Sequence, residues 1–328
     1  MRIFTGGVAH LAKAIEEDLK VRVTGLHKPH IGSLSDLAAC ALTCRNVNSS
    51  EWMTILPRQT GDHKSKERFI SRVLSNQQIE PLKVMQGYVR EVLHKLSASG
   101  ATVIFMMDQS KIANNFECLM LSVRFGNRAI PVAWKLIETK GEIGFDIQQE
   151  LLEAVRSMIP STVKVLLAGD RFYGTSSLVQ WCQRAGWGYR LRLKSTLIMQ
   201  HAGGEITTGD AAKQGIKELM GACFNKTTVA TNIGIIHEPG HSEPWIIAMD
   251  CQPSFYKALD YGLRWGIEAM FADFKSKGFS VTKTHLKHTD RIERLILVLT
   301  IALYWAVSTG MDPELCNKKH TKKNSRDL

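Results

Sequence analysis

Two short apolar runs constrain this chain more than any other feature. Ala101-Thr102-Val103-Ile104-Phe105-Met106-Met107-Asp108 and Val163-Lys164-Val165-Leu166-Leu167-Ala168-Gly169-Asp170 are almost unbroken in hydrophobic side chains, and each ends on an aspartate. A strand with one wet face alternates. A strand apolar at nearly every position has to be covered on both faces, which puts it in the middle of a sheet with helices packed on either side. Two such runs make this an α/β chain. Each aspartate alone is a weak signal, because a carboxylate just past an apolar strand is commonly a turn residue or a helix cap. Adjacent strands ending at one sheet edge would bring Asp108 and Asp170 together, where like charges repel and a divalent cation relieves them. Hard oxygen donors with no His or Cys cluster beside them favour magnesium or manganese over zinc.

Around these runs the pattern gives an order of elements. Cys118 to Phe125 and Ala129 to Ile137 read as strands separated by the turn Gly126-Asn127-Arg128, which suggests an antiparallel meander after the first run. Phe145 to Met158 has helical spacing and stops before Pro160; Ser176 to Ala185 is a second helix, and Trp187 to Lys194 alternates as a strand. Three strands, helix, strand, helix, strand is the plan of a ribonuclease-H-like mixed sheet with flanking helices. Ahead of it, residues 1–97 read as a helical domain. The core would occupy 98–195 and resume over 258–312. Between these parts, 196–257 is punctuated by glycines and short β-prone runs, and reads as a β-rich insertion. A basic tail, 313–328, has too little apolar content to fold.

The 328 residues carry 42 Lys and Arg against 31 Asp and Glu, and the excess sits at the ends: 14 basic and 9 acidic side chains in 1–97, 5 and 1 in 317–328. That asymmetry fits a polyanion touched by the termini and fits simple solubility equally. Residues 65–74 space Phe69, Ile70, Val73 and Leu74 along one helix face, with Lys64, Lys66, Arg68 and Arg72 on the other. Such a face can follow a phosphate backbone or merely be solvated. The longest apolar run, Leu295 to Val307, is about 13 residues, short of the roughly 20 that cross a bilayer, so no membrane span is expected. No signal-peptide hydrophobic region opens the chain. Seven cysteines without CxxC pairing read as reduced, buried thiols of a cytosolic protein.

The sharpest signal lies at Asp260 to Lys275. Tyr261, Arg264, Glu268 and Lys275 stand at offsets 0, 3, 7 and 14; at about 100° per residue they fall within one 60° arc of a helix, spread over about 21 Å. Glu268 could complete a metal site with the two aspartates, and Arg264 and Lys275 could grip phosphates. Geometry alone favours a plainer reading, an Arg264–Glu268 (i, i+4) surface ion pair.

Spacing and residue identity together say more. Tyr-x2-Arg-x3-Glu-x6-Lys, matched here without a gap, resembles the signature of one branch of bacterial insertion-sequence DDE transposases. Asp108-Gln109-Ser110 looks like that family's first catalytic strand, and Gly169-Asp170-Arg171-Phe172-Tyr173-Gly174 like its second. The resemblance spans roughly residues 30–312. It implies a catalytic triad of Asp108, Asp170 and Glu268 that holds two Mg²⁺ ions, with Mn²⁺ as a substitute. It also implies phosphate contacts from Tyr261, Arg264 and Lys275, residues 1–97 as a helical DNA-end-binding domain, and double-stranded DNA as partner, both terminal inverted repeats and target. A homodimer would pair the ends in the bacterial cytoplasm. Cleavage through hairpin ends is expected, and Trp245 matches the position of the family's base-stacking tryptophan; an aromatic packed in the insertion is the open alternative. Trp265, on another helix face, reads as core packing. The chain stops soon after the last core helix, so the long C-terminal dimerisation domain of larger relatives is not expected.

Two other activities stay in contention: a metal-dependent nuclease without strand transfer, and a catalytically silent DNA-binding relative. The complete Tyr-Arg-Glu-Lys set argues against the first and the intact triad against the second. His237-x3-His241 and His285-x2-His288 have metal-like spacing but no supporting ligands. Cys40-x3-Cys44 reads as helix packing, and without a GxxxxGK[ST] loop no ATPase site is expected.

Overall fold

Helices occupy the first part of the chain: α1 (Phe4–Arg22), α2 (Lys28–Cys44), α3 (Ser49–Ile55), α4 (His63–Ser75) and α5 (Pro81–Ser97). Their starts are set by local chemistry. The Asn48 side chain accepts from the Ser50 amide ahead of α3, and Asp62 accepts from the Ser65 amide ahead of α4. On α4 the buried residues are Phe69, Ile70, Val73 and Leu74, as the spacing predicts. The chain is described here by a computed structural model covering residues 4–58, 62–98, 100–113, 115–237 and 242–310. The basic tail, Cys316 and His241 lie outside the described residues.

Next come β1 (Val103–Ala113), β2 (Phe116–Phe125), β3 (Arg128–Glu138), α6 (Phe145–Arg156), β4 (Val165–Gly169), α7 (Ser176–Ala185) and β5 (Gly188–Arg192). In the sheet they stand in the order β3-β2-β1-β4-β5. β2 and β3 are antiparallel, while β1 pairs parallel with β4 and β4 with β5. This is the ribonuclease-H-like arrangement expected from the element order. The paired stretches of β1 and β4 are apolar at nearly every position because both faces are covered: all five residues of β4 are buried. Thr175 caps α7 and Gly186, at φ 69°, ends it in the left-handed conformation that favours glycine.

The glycine-punctuated stretch forms β6 (Ile198–His201), β7 (Gly204–Thr207), the short α8 (Thr208–Lys213), β8 (Glu218–Phe224), β9 (Ala230–Ile236) and β10 (Trp245–Met249). Rather than a separate layer, these strands extend the core sheet. β10 pairs antiparallel with β5, so one ten-stranded sheet runs on through β9, β8, β6 and β7.

The segment from Phe255 departs from the single helix that the periodicity predicts. It begins as α9 (Phe255–Leu259), tightens to a 3₁₀ turn over Asp260–Trp265 and resumes as α10 (Gly266–Phe274). Lys275 lies past the end of α10. The 3₁₀ segment turns about 120° per residue instead of 100°, which sets Tyr261 and Arg264 one above the other. The last helix is α11 (Thr289–Gly310).

The described residues form two compact units, one drawn from 4–88, 112–113 and 271–310, the other from 89–111 and 115–270. The boundaries therefore differ from a division at 97 and 258. α11 packs with α2 and α4 in the helical unit. There the buried Arg294 donates to the carbonyls of Leu74 and Ile79, both at 3.1 Å, and the Tyr304 ring meets Tyr88 edge-on at 4.7 Å. Such distant partners leave no trace in local spacing. Residues Thr289–Thr309 of α11 are long and apolar enough to cross a membrane by length and composition, beyond the 13-residue run read from the sequence, and 67% of the qualifying window is buried in the protein.

Candidate active site

Asp108 and Asp170 reach the same place because β1 and β4 run parallel in register. The ladder proceeds from Val103 opposite Val165 to Met107 opposite Gly169, and the next residue on each strand is the aspartate. β1 does not end there, as the sequence suggests, but continues to Ala113; only its pairing with β4 stops. After β4 the chain turns sharply: Asp170 Oδ1 accepts from the Phe172 amide at 2.9 Å, and its carbonyl accepts from the Tyr173 amide at 3.0 Å. Gly174 allows that turn. A Cβ there would stand 2.2 Å from the Arg192 carbonyl oxygen.

Glu268 comes from the first turn of α10 and is more than half exposed, and it joins Asp108 through Arg264. The Arg264 guanidinium donates through Nη1 to Asp108 Oδ2 at 3.0 Å and through Nη2 to Glu268 Oε1. The ion pair that helix geometry favours is thus formed. It is not a surface pair, since the Arg264 side chain is only 8% exposed and bridges the first and third carboxylates. The 3₁₀ turn explains the approach. At three residues per turn Tyr261 and Arg264 eclipse, and the guanidinium carbon lies 5.5 Å from the Tyr261 ring centroid.

Burial dominates the electrostatics of the cluster. Burial pushes the Asp108 carboxyl up to about 6; Arg264 opposes the shift, and the charges of Asp170 and Glu268 add to it. Asp170 is also raised, chiefly by burial, against the Phe172 amide bond and Arg264, Arg171 and Arg192. Burial works against the charge on Arg264, but Tyr261, Asp108, Glu268 and Asp170 outweigh it and hold its pKa above the ordinary value. Two polar atoms here are buried without a hydrogen-bond partner, Arg264 Nε and the Tyr173 hydroxyl. The hydroxyl's pKa is raised by burial and by the neighbouring charges of Asp108 and Asp170. Sequence reasoning gave Tyr173 no role; its place three residues after the second aspartate was the available signal.

As a donor set, three carboxylates with no nitrogen or sulfur ligand fit a hard divalent cation. The burial that raises Asp108 and Asp170 fits it too, because a bound cation offsets the cost of charging a desolvated carboxylate. In this conformation Arg264 supplies the local positive charge, and among the described residues no three His, Cys, Asp or Glu side chains converge on one ion position.

The remaining predicted contacts separate. Tyr261 is 2% exposed, packed with Trp245, Ile236, Ile247, Met249 and Ala258. Trp245 is in the same cluster, 7% exposed, so it stands where the insertion-core alternative puts it. Trp265 reverses its expectation: it is 50% exposed, edge-on to Trp245 with centroids 5.8 Å apart. Facing is decided here by the switch from 3₁₀ to α geometry, not by a uniform helical wheel. Lys275 belongs to the helical unit. His237 and His285 stand in different units, and neither belongs to a metal-ligating group among the described residues.

Residues 146–305 match the family model described as "Transposase DDE domain". No curated protein sequence matches the chain. Among solved structures, Ciona intestinalis Endonuclease V in complex with an inosine-containing DNA is similar at 15% identity and TM-score 0.30, over 64% of this chain and 95% of that one. Human ENDOV aligns at 11% identity and TM-score 0.26, over 74% of this chain and 98% of that one. Marinitoga piezophila Argonaute in complex with guide RNA and target DNA aligns at 10% identity and TM-score 0.25, over 66% and 33%.

Proposed function

We propose, from the premise that residues 146–305 belong to the transposase DDE-domain family, that this chain is an insertion-sequence transposase that cleaves its element's DNA ends and joins them to target DNA. The observation that carries the reading is the register of β1 and β4, which sets Asp108 beside Asp170, together with the Arg264 bridge that links Glu268 to Asp108.

Asp108, Asp170 and Glu268 would hold two Mg²⁺ ions, for which Mn²⁺ can substitute. Bound there, the ions supply activation of an attacking water or 3′-hydroxyl and stabilisation of the leaving oxygen at phosphorus. The chain's own contribution is placement. Parallel pairing holds the two aspartates at fixed separation, and the turn after Asp170 fixes its carboxylate through the Phe172 amide. Arg264 keeps Glu268 directed at Asp108, and Tyr261 supports Arg264 from the core side. A buried Tyr261 serves a DNA end best through Arg264 and not by touching phosphate. Of the two adjoining tryptophans, Trp265 has the accessible face for a base. Terminal inverted repeats as the bound sequence, hairpin ends as intermediates and a homodimeric synapse complete the proposal.

The deciding experiment incubates a labelled duplex carrying the repeat that flanks the element with wild type or Glu268→Ala, in Mg²⁺ or Mn²⁺. Metal-dependent hairpins or joined products from wild type alone support the proposal. Nicking without joining supports a nuclease, and tight binding without cleavage a silent DNA-binding protein.

A further inference from the structure

Beside the carboxylates the sheet unit carries a second feature that the catalytic reading does not use. A cavity of about 800 Å³ opens between the β5 end, α8 and the approach to β10. Five of its lining side chains are Lys or Arg (171, 192, 194, 213 and 217) against the two lining acids Glu218 and Glu243 and against Glu142 and Asp210, which pair with Lys194 and Lys213, so its balance stays positive by one charge. Its floor is apolar, with Leu193 and Ile246 at 2% exposure, and its edge carries Phe255, 53% exposed and edge-on to the still more exposed Tyr256. The cavity is continuous with the site electrostatically, since Arg171 and Arg192 act on the Asp170 carboxylate.

One contact in it is unusual. A single oxygen of Glu243, Oε2, sits 3.5 Å from Arg171 Nη1 and 3.3 Å from Arg192 Nη2. An anionic oxygen shared by two guanidinium groups is the geometry with which arginines receive a phosphate. Glu243 is 62% exposed, so the pair is solvated and readily exchanged.

We propose that this groove carries a single DNA strand leading away from Asp170, and that in the DNA-free chain Glu243 occupies the place of one of its phosphates. The inference rests on the transposase reading and specifies a strand path for it. A single strand suits the groove better than a duplex, because exposed aromatic rings beside a basic track take stacked bases and backbone together. Lys213 and Lys217 line the track beyond the arginine pair. Lys213 is 81% exposed, and its contact is a neighbouring-turn partner, Asp210.

The test measures binding of fluorescein-labelled oligo(dT), and of a duplex, to the full chain across a salt series. Lys213→Ala/Lys217→Ala is expected to weaken oligo(dT) binding about tenfold and to reduce the log–log salt slope by about 1.4, at roughly 0.7 per lost contact to a single strand. Lys164→Ala, one cation fewer at the opposite end of β4, should match wild type. Glu243→Gln is expected to tighten binding about threefold or more, the reverse of what loss of a bracing residue would do. If wild type binds while the double lysine variant keeps its affinity and slope, the strand runs elsewhere and the proposal is overturned. Weaker binding by Glu243→Gln overturns the surrogate role. Failure of wild type to bind either DNA at any salt would remove the transposase reading itself.

Discussion

Asp108 and Asp170 each stand one residue beyond the last rung, Met107 opposite Gly169, of the same parallel ladder. Parallel register does not permit one to be moved without the other, and the backbone alone therefore sets the spacing between the two carboxylates. Arg264 then brings in Glu268 from a segment 156 residues after Asp108.

Asp170→Asn keeps shape and removes a charge. Cleavage should fall at least about a hundredfold, the scale reached even when an outer partner of a metal ligand is lost, while binding of a terminal-repeat duplex stays within about twofold. Parallel loss of binding would mean that Asp170 organises the DNA surface as well.

Asp108→Asn should make the protein more stable while abolishing cleavage. The folded-state pKa, about 6, lies above the ordinary 3.8, so the folded chain binds the extra proton. Stability from this group is therefore lost as pH rises from about 4 through 6. The neutral isostere recovers it, on the order of 1–3 kcal/mol at pH 7.5 and little at pH 4. Urea midpoints at both pH values measure it. A variant less stable than wild type at pH 7.5 would show that the Arg264 pairing outweighs burial.

Divalent cations and protons compete for the same carboxylates. Millimolar Mg²⁺ or Mn²⁺ should raise the melting temperature by a few degrees, about 2–4 °C, at pH 7.5 and by less at pH 5. Glu268→Ala should shrink the shift. An equal shift at both pH values would place cation binding away from Asp108.

Arg264→Ala leaves the buried Asp108 without its partner, which costs about 3 kcal/mol, and weakens complexes with the DNA end. Arg264→Lys should not rescue it, because one ammonium cannot span both acids as a planar fork does. Urea unfolding reads the first effect. The salt slope of end binding reads the second, and an unchanged slope would leave Arg264 no phosphate contact.

Gly174→Ala forces a Cβ to within 2.2 Å of the Arg192 carbonyl oxygen, a backbone atom that cannot swing away. A cost of about 2–4 kcal/mol and impaired cleavage are expected. Gly141→Ala, which meets nothing within 4 Å, is the neutral control. Equal midpoints for the two would contradict the close approach.

Much of this was legible from residues alone. Strand and helix identities followed hydrophobic period, a property of neighbours in the chain: α7 begins and ends where the pattern says. The two apolar runs ending in aspartate correctly implied a shared sheet edge, because only a strand covered on both faces tolerates such a composition. The signature segment differs from its helical pattern in a specific way. A wheel of constant 100° predicts one arc, and the 3₁₀ turn at Asp260–Trp265 eclipses Tyr261 with Arg264, buries Tyr261 and leaves Trp265 in solvent.

What the chain's local pattern determined, then, is which segments are strands and helices and which side chains carry the chemistry, since period, caps and residue type act over a few neighbouring positions. Tertiary structure alone decided that Arg264 spans Asp108 and Glu268, that β10 fastens the β-rich stretch onto β5, that Trp245 is core while Trp265 is not, and that α11 packs with α2 and α4. Each of these depends on groups far apart in the chain. Their meeting is set by how buried surfaces and hydrogen-bonding partners close on one another, and no spacing along the sequence encodes it.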